Sequence, residues 1–405
     1  MGLLPGRLSP ALAAGLTRRG TWLPCARAAE ELAYFWRARV SASTARRQTE
    51  AAGAADVAVQ TAAVEALEQG AGAPPAGPAR QFLSADGAMV PLVGGAWAAV
   101  KTRAVGTLQA PVREADGWRV HTTARSYFSR LAAHEDFARL ARVETHRRGV
   151  ATAGTVVAVT DGSPWRQGFI DYHRPDAVRV LACPHAVEHL TAAAQATFGA
   201  GGARAADGVA GQAHTLKHGD PTGVLLALLD LPVRAATDPP AAAAARRATL
   251  RYLAARWAAI QYAQFQAPGY PRGDGAIESA DKLVPEARLK GSGMPWAPAS
   301  IDPLVARRTV AGNDRWAEAW PQLATRRRTQ QRARRRARQQ ARRAGAAAPA
   351  ACPPPPAPPP PAQPPARRAT AIPALPPERT GRPHPWSFQA RVDARSLPPT
   401  THARL

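Results

Sequence analysis

Apolar positions recur along the chain with different spacings, and these spacings divide it into four segments. Residues 1–53 carry a helical pattern, and residues 54–79 end in a Gly/Pro-rich run that predicts a linker. Residues 80–324 begin with β-branched and aromatic runs typical of strands and continue with helical patterns. Residues 325–405 hold an arginine run and then CPPPPAPPPPAQPP, which predict polyproline II and disorder.

The first segment has the pattern of two helices joined by a short turn. A Ser41/Ser43 cap opens the second helix, and Gly53 is predicted to close it. This arrangement resembles a helix-turn-helix, in which Arg46 and Arg47, with the neighbouring Thr44 and Gln48, would face a DNA major groove. An ordinary helical hairpin with a solvated basic face explains the same pattern.

The third segment orders its elements as three strands, a helix, a strand, a helix, a strand and further helices. Two of the strands end in Asp-Gly, at Asp86 and Asp161, and Glu278 lies in the first turns of a later helix. An Ala-rich stretch at about 190–265 predicts an inserted all-helical subdomain. The order predicts an α/β fold of the ribonuclease-H-like type, a mixed sheet with helices on both faces.

Three carboxylates in this order suggest a particular chemistry. Two hard divalent cations need oxygen ligands, and a shared carboxylate lets them lie about 3.5–4 Å apart on either side of a scissile phosphate. We therefore predict that Asp86, Asp161 and Glu278 are catalytic and hold Mg²⁺, with Mn²⁺ also acceptable because all the ligands are oxygen. A lone Asp-Gly after a strand is more often a simple turn.

The charge predicts a polyanionic partner. Lys+Arg 53 against Asp+Glu 29 gives a formal net charge of +24 and a pI near 11.4, and ten arginines lie between residues 325 and 343.

The three cysteines show no CxxC spacing, which argues against a disulfide framework or a cysteine zinc site. Because no signal-peptide core or membrane-spanning run is found, we expect a cytoplasmic, nucleoid-associated protein without a membrane partner.

Several blocks of the sequence resemble transposases of the Kra family of insertion sequences, within the Mutator-like group. The blocks are SADGAMVPLVGG, ETHRRGV, AVTDG, LKHGDP, IESADKL, EARLKGSGMPW and NDRWAEAW. The resemblance places the family's acidic triad on Asp86, Asp161 and Glu278, and it implies that the DNA partner carries terminal inverted repeats. Bringing two such ends together would require a homo-oligomer.

Further residues near these blocks are candidates for contacts with DNA or with the catalytic acids. Lys282 lies one helical turn after Glu278, and Arg288 and Lys290 follow it, so all three could hold phosphates. His185 corresponds to a histidine thought to support the active site in the Mutator-like group. A solvated basic face and a helix-capping histidine are the simpler interpretations of these residues.

His185, Glu188 and His189 also match HxxEH, the inverted zinc-peptidase pattern. The pattern is short, and no segment that could give a third zinc ligand follows it. We therefore interpret this stretch as the start of a helix.

Three departures from the family lead us to expect an impaired copy. Relatives carry further N-terminal sequence with paired cysteines, Ala182 replaces the usual acid, and Pro285 falls within the helix that bears Glu278, where it should kink or stop that helix. The alternatives are a non-catalytic DNA-binding relic and a nuclease of the same fold without strand transfer.

Overall fold

The computed structural model describes residues 8–70, 72–114 and 117–347. Within them, a five-stranded mixed sheet is flanked by helices, so the prediction of an α/β fold with a mixed sheet is confirmed. The proline-rich segment and everything else from residue 348 onward lie outside the described residues.

The central sheet combines antiparallel and parallel pairs. Its strand order is β5-β2-β1-β6-β7: β2 pairs antiparallel with β1 and β5, whereas β6 pairs parallel with β1 and β7. The short strands β3 and β4 form a separate hairpin between β2 and β5. The strands are β1 Arg80–Pro91, β2 Trp97–Leu108, β3 Val112–Glu114, β4 Gly117–Arg119, β5 Thr122–Arg130, β6 Thr155–Thr160 and β7 Val178–Leu181.

Helices and the loops that connect them make up the rest of the described chain. The stretch from Cys183 to Gln266 contains helices and no strand, as the composition predicted for the insertion. The α-helices are α1 Pro10–Trp22, α2 Cys25–Trp36, α3 Ala42–Glu68, α4 His134–Arg147, α5 Pro164–His173, α6 Cys183–Phe198, α7 Ala203–His218, α8 Pro221–Leu229, α9 Pro239–Ala254, α10 Tyr262–Gln266, α11 Gly275–Asp281, α12 Ala287–Leu289, α13 Pro298–Gly312 and α14 Trp316–Ala347.

Each face of the sheet buries its own hydrophobic cluster. Alternate residues of a strand point to opposite faces, so Phe82 and Val90 of β1 enter one cluster while Leu83 and Ala85 enter the other. The first cluster, which also contains buried residues of α6, α11 and α13, is called the insertion face below. The second packs against α4 and α5.

Helix α3 differs from its predicted length. Gly53 does not close a helix but lies in the middle of α3, where α13 crosses it. A Cβ at this position would lie 1.8 Å from the carbonyl oxygen of Pro303, so a glycine is needed for the close approach. The predicted linker 54–79 is therefore helical as far as Glu68.

The arginine run also differs from its prediction, because it is helical as far as Ala347 rather than disordered. The helix is held at its start by packing: Leu323 of α14 is buried against Ala52 and Ala55 of α3. Arg327 is buried as well and donates a hydrogen bond of 2.6 Å to Gln48. Gln48 consequently faces α14 and not a DNA groove.

Pro285 lies inside a π-helical turn, Lys282–Glu286, that joins α11 to α12. The predicted kink at this proline is therefore a widened turn, and the helical path continues beyond it. The fully buried Arg308 of α13 donates to the carbonyls of Leu283 and Val284 in this turn. Its guanidinium also donates to the carbonyl of Thr21 in α1, at 2.9 Å. One side chain thus satisfies carbonyls of the turn and of α1.

Replacing Arg308 with methionine should lower the free energy of unfolding by at least about 3 kcal/mol, because buried carbonyl groups lose their donor. Chemical denaturation measures the loss. The exposed Arg332 of α14 gives the matched control, since Arg332→Met removes the same charge without burying a polar group. Equal losses in both variants would show that the carbonyl contacts contribute nothing.

Candidate active site

Asp86 and Asp161 lie level with each other on neighbouring strands. Strands β1 and β6 are parallel with Leu83 opposite Ala158, and continuing this register brings Asp86 beside Asp161, directly after the end of β6. The alternation that sends Phe82 to the insertion face sends both aspartates there as well. The parallel pairing therefore brings together two carboxylates that are far apart in the sequence.

Arg166, in the first turn of α5, lies between these two aspartates. Its Nη2 donates to Asp86 Oδ1 and its Nη1 to Asp161 Oδ2, while Nε donates to the carbonyl of Ala85 at 3.0 Å. The arginine side chain is 13 % exposed, and Trp165 stacks on it with the guanidinium carbon 4.9 Å from a ring centroid. A cation is thus held where the two carboxylates face each other.

The Asp161 carboxylate is also held by its own loop. Oδ1 accepts the Ser163 backbone N–H at 2.8 Å. Burial acts to raise the pKa of Asp161, but the Ser163 and Arg166 hydrogen bonds outweigh it and leave that pKa below its ordinary value. Asp161 is therefore ionised at neutral pH.

The end of helix α9 fixes the Asp161 loop from the insertion side. Tyr252 donates to the Asp161 carbonyl at 2.6 Å, and Arg256, just beyond α9, donates to the Gly162 carbonyl at 2.7 Å. Gly162 has a φ of +73°, and a Cβ there would lie 2.3 Å from Arg256 Nε. The Asp-Gly sequence therefore forms a turn in which a glycine is required, and its aspartate also supplies a carboxylate to the site.

His185 of α6 connects the insertion to the start of α11. Its Nε2 lies 3.2 Å from the buried Asp274, which precedes α11, and its Nδ1 lies 3.1 Å from Glu188. The Asp274 hydrogen bond is the largest influence and raises the pKa of His185 to about 9, so the imidazole is protonated at neutral pH. His185 therefore positions α11 through Asp274.

Glu278 does not join the two aspartates in this structure. Its side chain is 51 % exposed, and Lys282 Nζ lies 3.9 Å from its carboxylate. Among the described residues, no group of three or more His, Cys, Asp or Glu side chains is arranged to hold a metal ion. Of the predicted triad, only the two aspartates are thus brought together.

Another acid of α11, Asp281, does lie beside Asp86. It is 7 % exposed, and burial raises its pKa to about 7, with the Asp86 charge acting in the same direction and the Thr102 hydroxyl opposing it by a hydrogen bond. Thr102 is the residue of β2 opposite Asp86. Asp281 is therefore the buried acid of α11 beside the β1–β2 ladder, and it does not form a group of three with the two aspartates.

The predicted basic contacts are divided between the surface and the interior. Lys282, Arg46 and Arg47 are exposed, and Lys290 is exposed but pairs with Glu286 at 2.5 Å. Arg288 is buried: it lies over the Trp296 ring at 4.9 Å and contacts the Cys25 thiol, so it does not hold a phosphate. Trp296 and Cys25 cover the Arg288 guanidinium, which explains why this predicted phosphate contact is not at the surface.

The HxxEH residues do not form a zinc site. His185 and Glu188 pair with each other, whereas the ring of His189 stacks on Tyr252 at 3.6 Å between centroids. The pattern is used to pack α6 against α9.

Sequence reasoning missed Arg166, Tyr252, Arg256 and Asp281. Asp281 left a signal, because it interrupts the buried apolar stripe formed by Ile277, Ala280 and Val284. The other three carry no comparable signal, since their roles depend on long-range contacts of the α5 and α9 helices.

Comparison with protein-family models and with curated proteins gives no match. Within the described part of the chain, no helix is both long and apolar enough to cross a membrane.

The His185 pair should give a pH-dependent contribution to stability. A histidine whose folded pKa is about 9, against an ordinary 6.5, stabilises the fold fully below pH 6.5 and loses this contribution as pH rises towards 9. His185→Gln should therefore lower Tm on the order of 2 °C at pH 6 and much less at pH 9.5. Thermal unfolding across this range measures the difference, with the exposed His214→Gln as control. A His185→Gln deficit that does not change with pH would contradict the pairing.

Proposed function

We propose that this chain is a metal-dependent polynucleotidyl transferase of the ribonuclease-H-like type that cuts and joins DNA at the ends of an insertion sequence. The observation that carries the proposal is the level placement of Asp86 and Asp161 on adjacent parallel strands. The strand order, with three antiparallel strands followed by two parallel ones, supports it, as does the family resemblance of the surrounding sequence.

The donors of the site fit a divalent cation such as Mg²⁺ or Mn²⁺. All of them are carboxylate oxygens, and the Arg166 guanidinium already provides a positive charge between the two aspartates. Asp281 Oδ1 is buried without a hydrogen-bond partner among the described residues, so an acceptor is left for a cation. The third acid of the family's triad would come from helix α11, which carries Glu278 and Asp281, but neither joins the two aspartates in a group of three among the described residues.

The chain's residues then have separate tasks. Asp86 and Asp161 would hold a divalent cation, and Arg166 would have to give up its carboxylate contacts for this to occur. Such a cation would supply the charge that activates a water or 3′-hydroxyl and offsets the negative charge on the leaving oxygen. Because Tyr252 and Arg256 hold the Asp161 loop independently of Arg166, the aspartate stays in place when the arginine leaves.

A basic surface on α14 supports DNA as the partner. The exposed arginines of this helix lie beyond its packed first turns, and several of them line a groove against Ala51, Ala54 and Ala55 of α3. Such a surface neutralises phosphates without reading sequence. We call the following set the α14 arginine row: Arg332, Arg334, Arg335, Arg336 and Arg338.

Transposition adds two further parts to the proposal. Joining two element ends requires at least two copies of the chain, and its site of action is the bacterial nucleoid. A non-catalytic DNA-binding relic is the second candidate, because Arg166 neutralises both aspartates in this structure.

Asp86→Asn and Asp161→Asn should each reduce Mg²⁺-dependent cleavage of element-end DNA by at least about a thousandfold, because a neutral amide is a poor ligand for a hard cation. DNA binding should remain within about twofold, since it depends on the basic surface. Cleavage of a labelled duplex and a binding titration measure the two effects.

The exposed Asp207 of α7 supplies the matched control, Asp207→Asn, which should cleave like the unaltered chain. Binding without cleavage in the unaltered chain would favour the relic. Cleavage that survives in either site variant would show that other groups hold the metal.

Changing the five residues of the α14 arginine row to glutamine should weaken nonspecific duplex affinity and flatten its salt dependence by up to about four units of slope. Binding titrations over a range of salt concentrations measure the slope. The control removes the same charge from exposed arginines elsewhere: Arg113, Arg204, Arg234, Arg247 and Arg251. If both sets change the slope equally, net charge and not this helix determines the affinity.

A further inference from the structure

We propose that a groove beside the β3–β4 hairpin binds an unpaired stretch of a DNA strand, with a base stacked on Trp118 and phosphates held by Arg125 and Arg272. The inference rests on the proposed function for the identity of the strand as DNA, and it adds a binding site separate from the two aspartates. We call this site the hairpin groove, and its defining residues are Phe82, Trp118, Arg119, Arg125, Tyr270 and Arg272.

The hairpin groove is a recess between two walls. Strand β4 and the start of β5 form one wall, and residues 270–276, which include the start of α11, form the other. The recess has a volume of about 560 Å³, and sites that enclose a small ligand typically have about 300–1,000 Å³. A nucleotide unit therefore fits between the walls.

Contacts within the chain hold the two walls against each other. Gly269 has a φ of +71°, and a Cβ there would lie 2.3 Å from the ring of Pro111, which leads into the hairpin. The Arg80 guanidinium donates to the Pro268 carbonyl at 2.9 Å and so ties this segment to the start of β1. The groove is thus formed before a ligand enters, which reduces the cost of binding.

The first argument is an exposed aromatic side chain. Trp118 of β4 is 53 % exposed and belongs to none of the hydrophobic clusters of the described residues. On the opposite wall, Tyr270 is half-buried, and its ring centroid lies 6.3 Å from that of Phe265. An exposed aromatic ring in a basic groove is the platform on which the bases of a single strand stack.

The second argument is charge. Among the described residues that line the groove, three are arginines and none is an acid. Glu114 of β3 lies nearby but pairs with Arg119 at 2.9 Å. Arg125 and Arg272 form no salt bridge within the part of the chain that the structure describes, and Arg272 is positioned by donating to the Lys217 carbonyl at 3.0 Å. Two cations are therefore left for phosphates.

The third argument is the position of the groove relative to the two aspartates. Phe82 of β1 lines the groove, and Asp86 lies four residues further along the same strand on the same face of the sheet. Four residues of a strand span about 13 Å. A DNA strand that leaves the groove along β1 would therefore reach the candidate active site.

An unpaired strand fits these features better than a duplex or a second copy of the chain. The bases of a duplex are stacked inside it and cannot reach a protein ring unless they are unpaired. A second copy would cover the exposed tryptophan, but a contact between two identical surfaces would bring arginines against arginines. The lining therefore favours a polyanion with free bases.

Equilibrium binding of the full chain to a short labelled oligothymidylate, with a duplex measured in parallel, tests the groove without a catalytic step. We expect Trp118→Ala to weaken single-strand binding by at least about fivefold, and Trp118→Phe, which keeps an aromatic ring, to stay within about threefold. Duplex affinity should stay within about twofold in both variants. Trp97→Ala, which removes an exposed tryptophan of β2 outside the groove, is the matched control.

Arg125→Gln should flatten the slope of log single-strand affinity against log salt by about 0.7, the value of one phosphate contact on a single strand. The control is Arg247→Gln, which removes an exposed arginine of α9 outside the groove. Equal changes of slope in the two variants would contradict a phosphate contact at Arg125. Because Trp118 and Arg125 are exposed, the Tm of each groove variant should stay within about 2 °C of that of the unaltered chain.

Single-strand affinity that Trp118→Ala leaves unchanged, or that Trp97→Ala lowers equally, would overturn the proposal. A Trp118→Ala variant that loses only self-association in sedimentation analysis would overturn it as well, because the surface would then belong to a second copy. Cleavage of element-end DNA separates this failure from that of the proposed function. Cleavage without Trp118-dependent strand binding defeats the groove alone, whereas Trp118-dependent binding without cleavage defeats the proposed function alone.

Discussion

Asp86 and Asp161 lie level on adjacent parallel strands, where their carboxylates repel each other. The residues around them offset this repulsion. The fold provides a cation, Arg166, from the helix that follows the second strand, and hydrogen-bond donors from the Asp161 loop. These partners keep the pKa of Asp161 below its ordinary value although its side chain is partly buried. The site is therefore an electrostatic arrangement, in which the Arg166 guanidinium lies between two carboxylates.

The helical insertion and α11 hold this arrangement from two sides. Tyr252 and Arg256 bind the carbonyls of the Asp161 loop, whereas His185 pairs with Asp274 at the start of α11. Both contacts come from helices between Cys183 and the Arg256 loop. The insertion is thus part of the site's support, although it contributes no carboxylate to it.

Much of the fold could be predicted from the sequence, because strand and helix periodicities and the Asp-Gly turns are local signals. The two aspartates were found this way, and the sheet register brings them together. The predicted end of α3 was wrong, since Gly53 is needed for the close crossing of α13 and does not stop the helix. Arg288 was assigned to phosphate binding, but its burial depends on Trp296 and Cys25, which no local pattern indicates. Long-range contacts explain each of these differences.

The π-helical turn after Asp281 restricts which residues this part of the chain can lose. A π turn contains one residue more than the α-helical turn it replaces, and each residue of an α-helix rotates the following ones by about 100°. Removing one residue between Lys282 and Glu286 would restore a regular helix but turn the buried Arg288 and Leu289 out of their positions. The extra residue of the turn and the burial of the side chains that follow it therefore depend on each other.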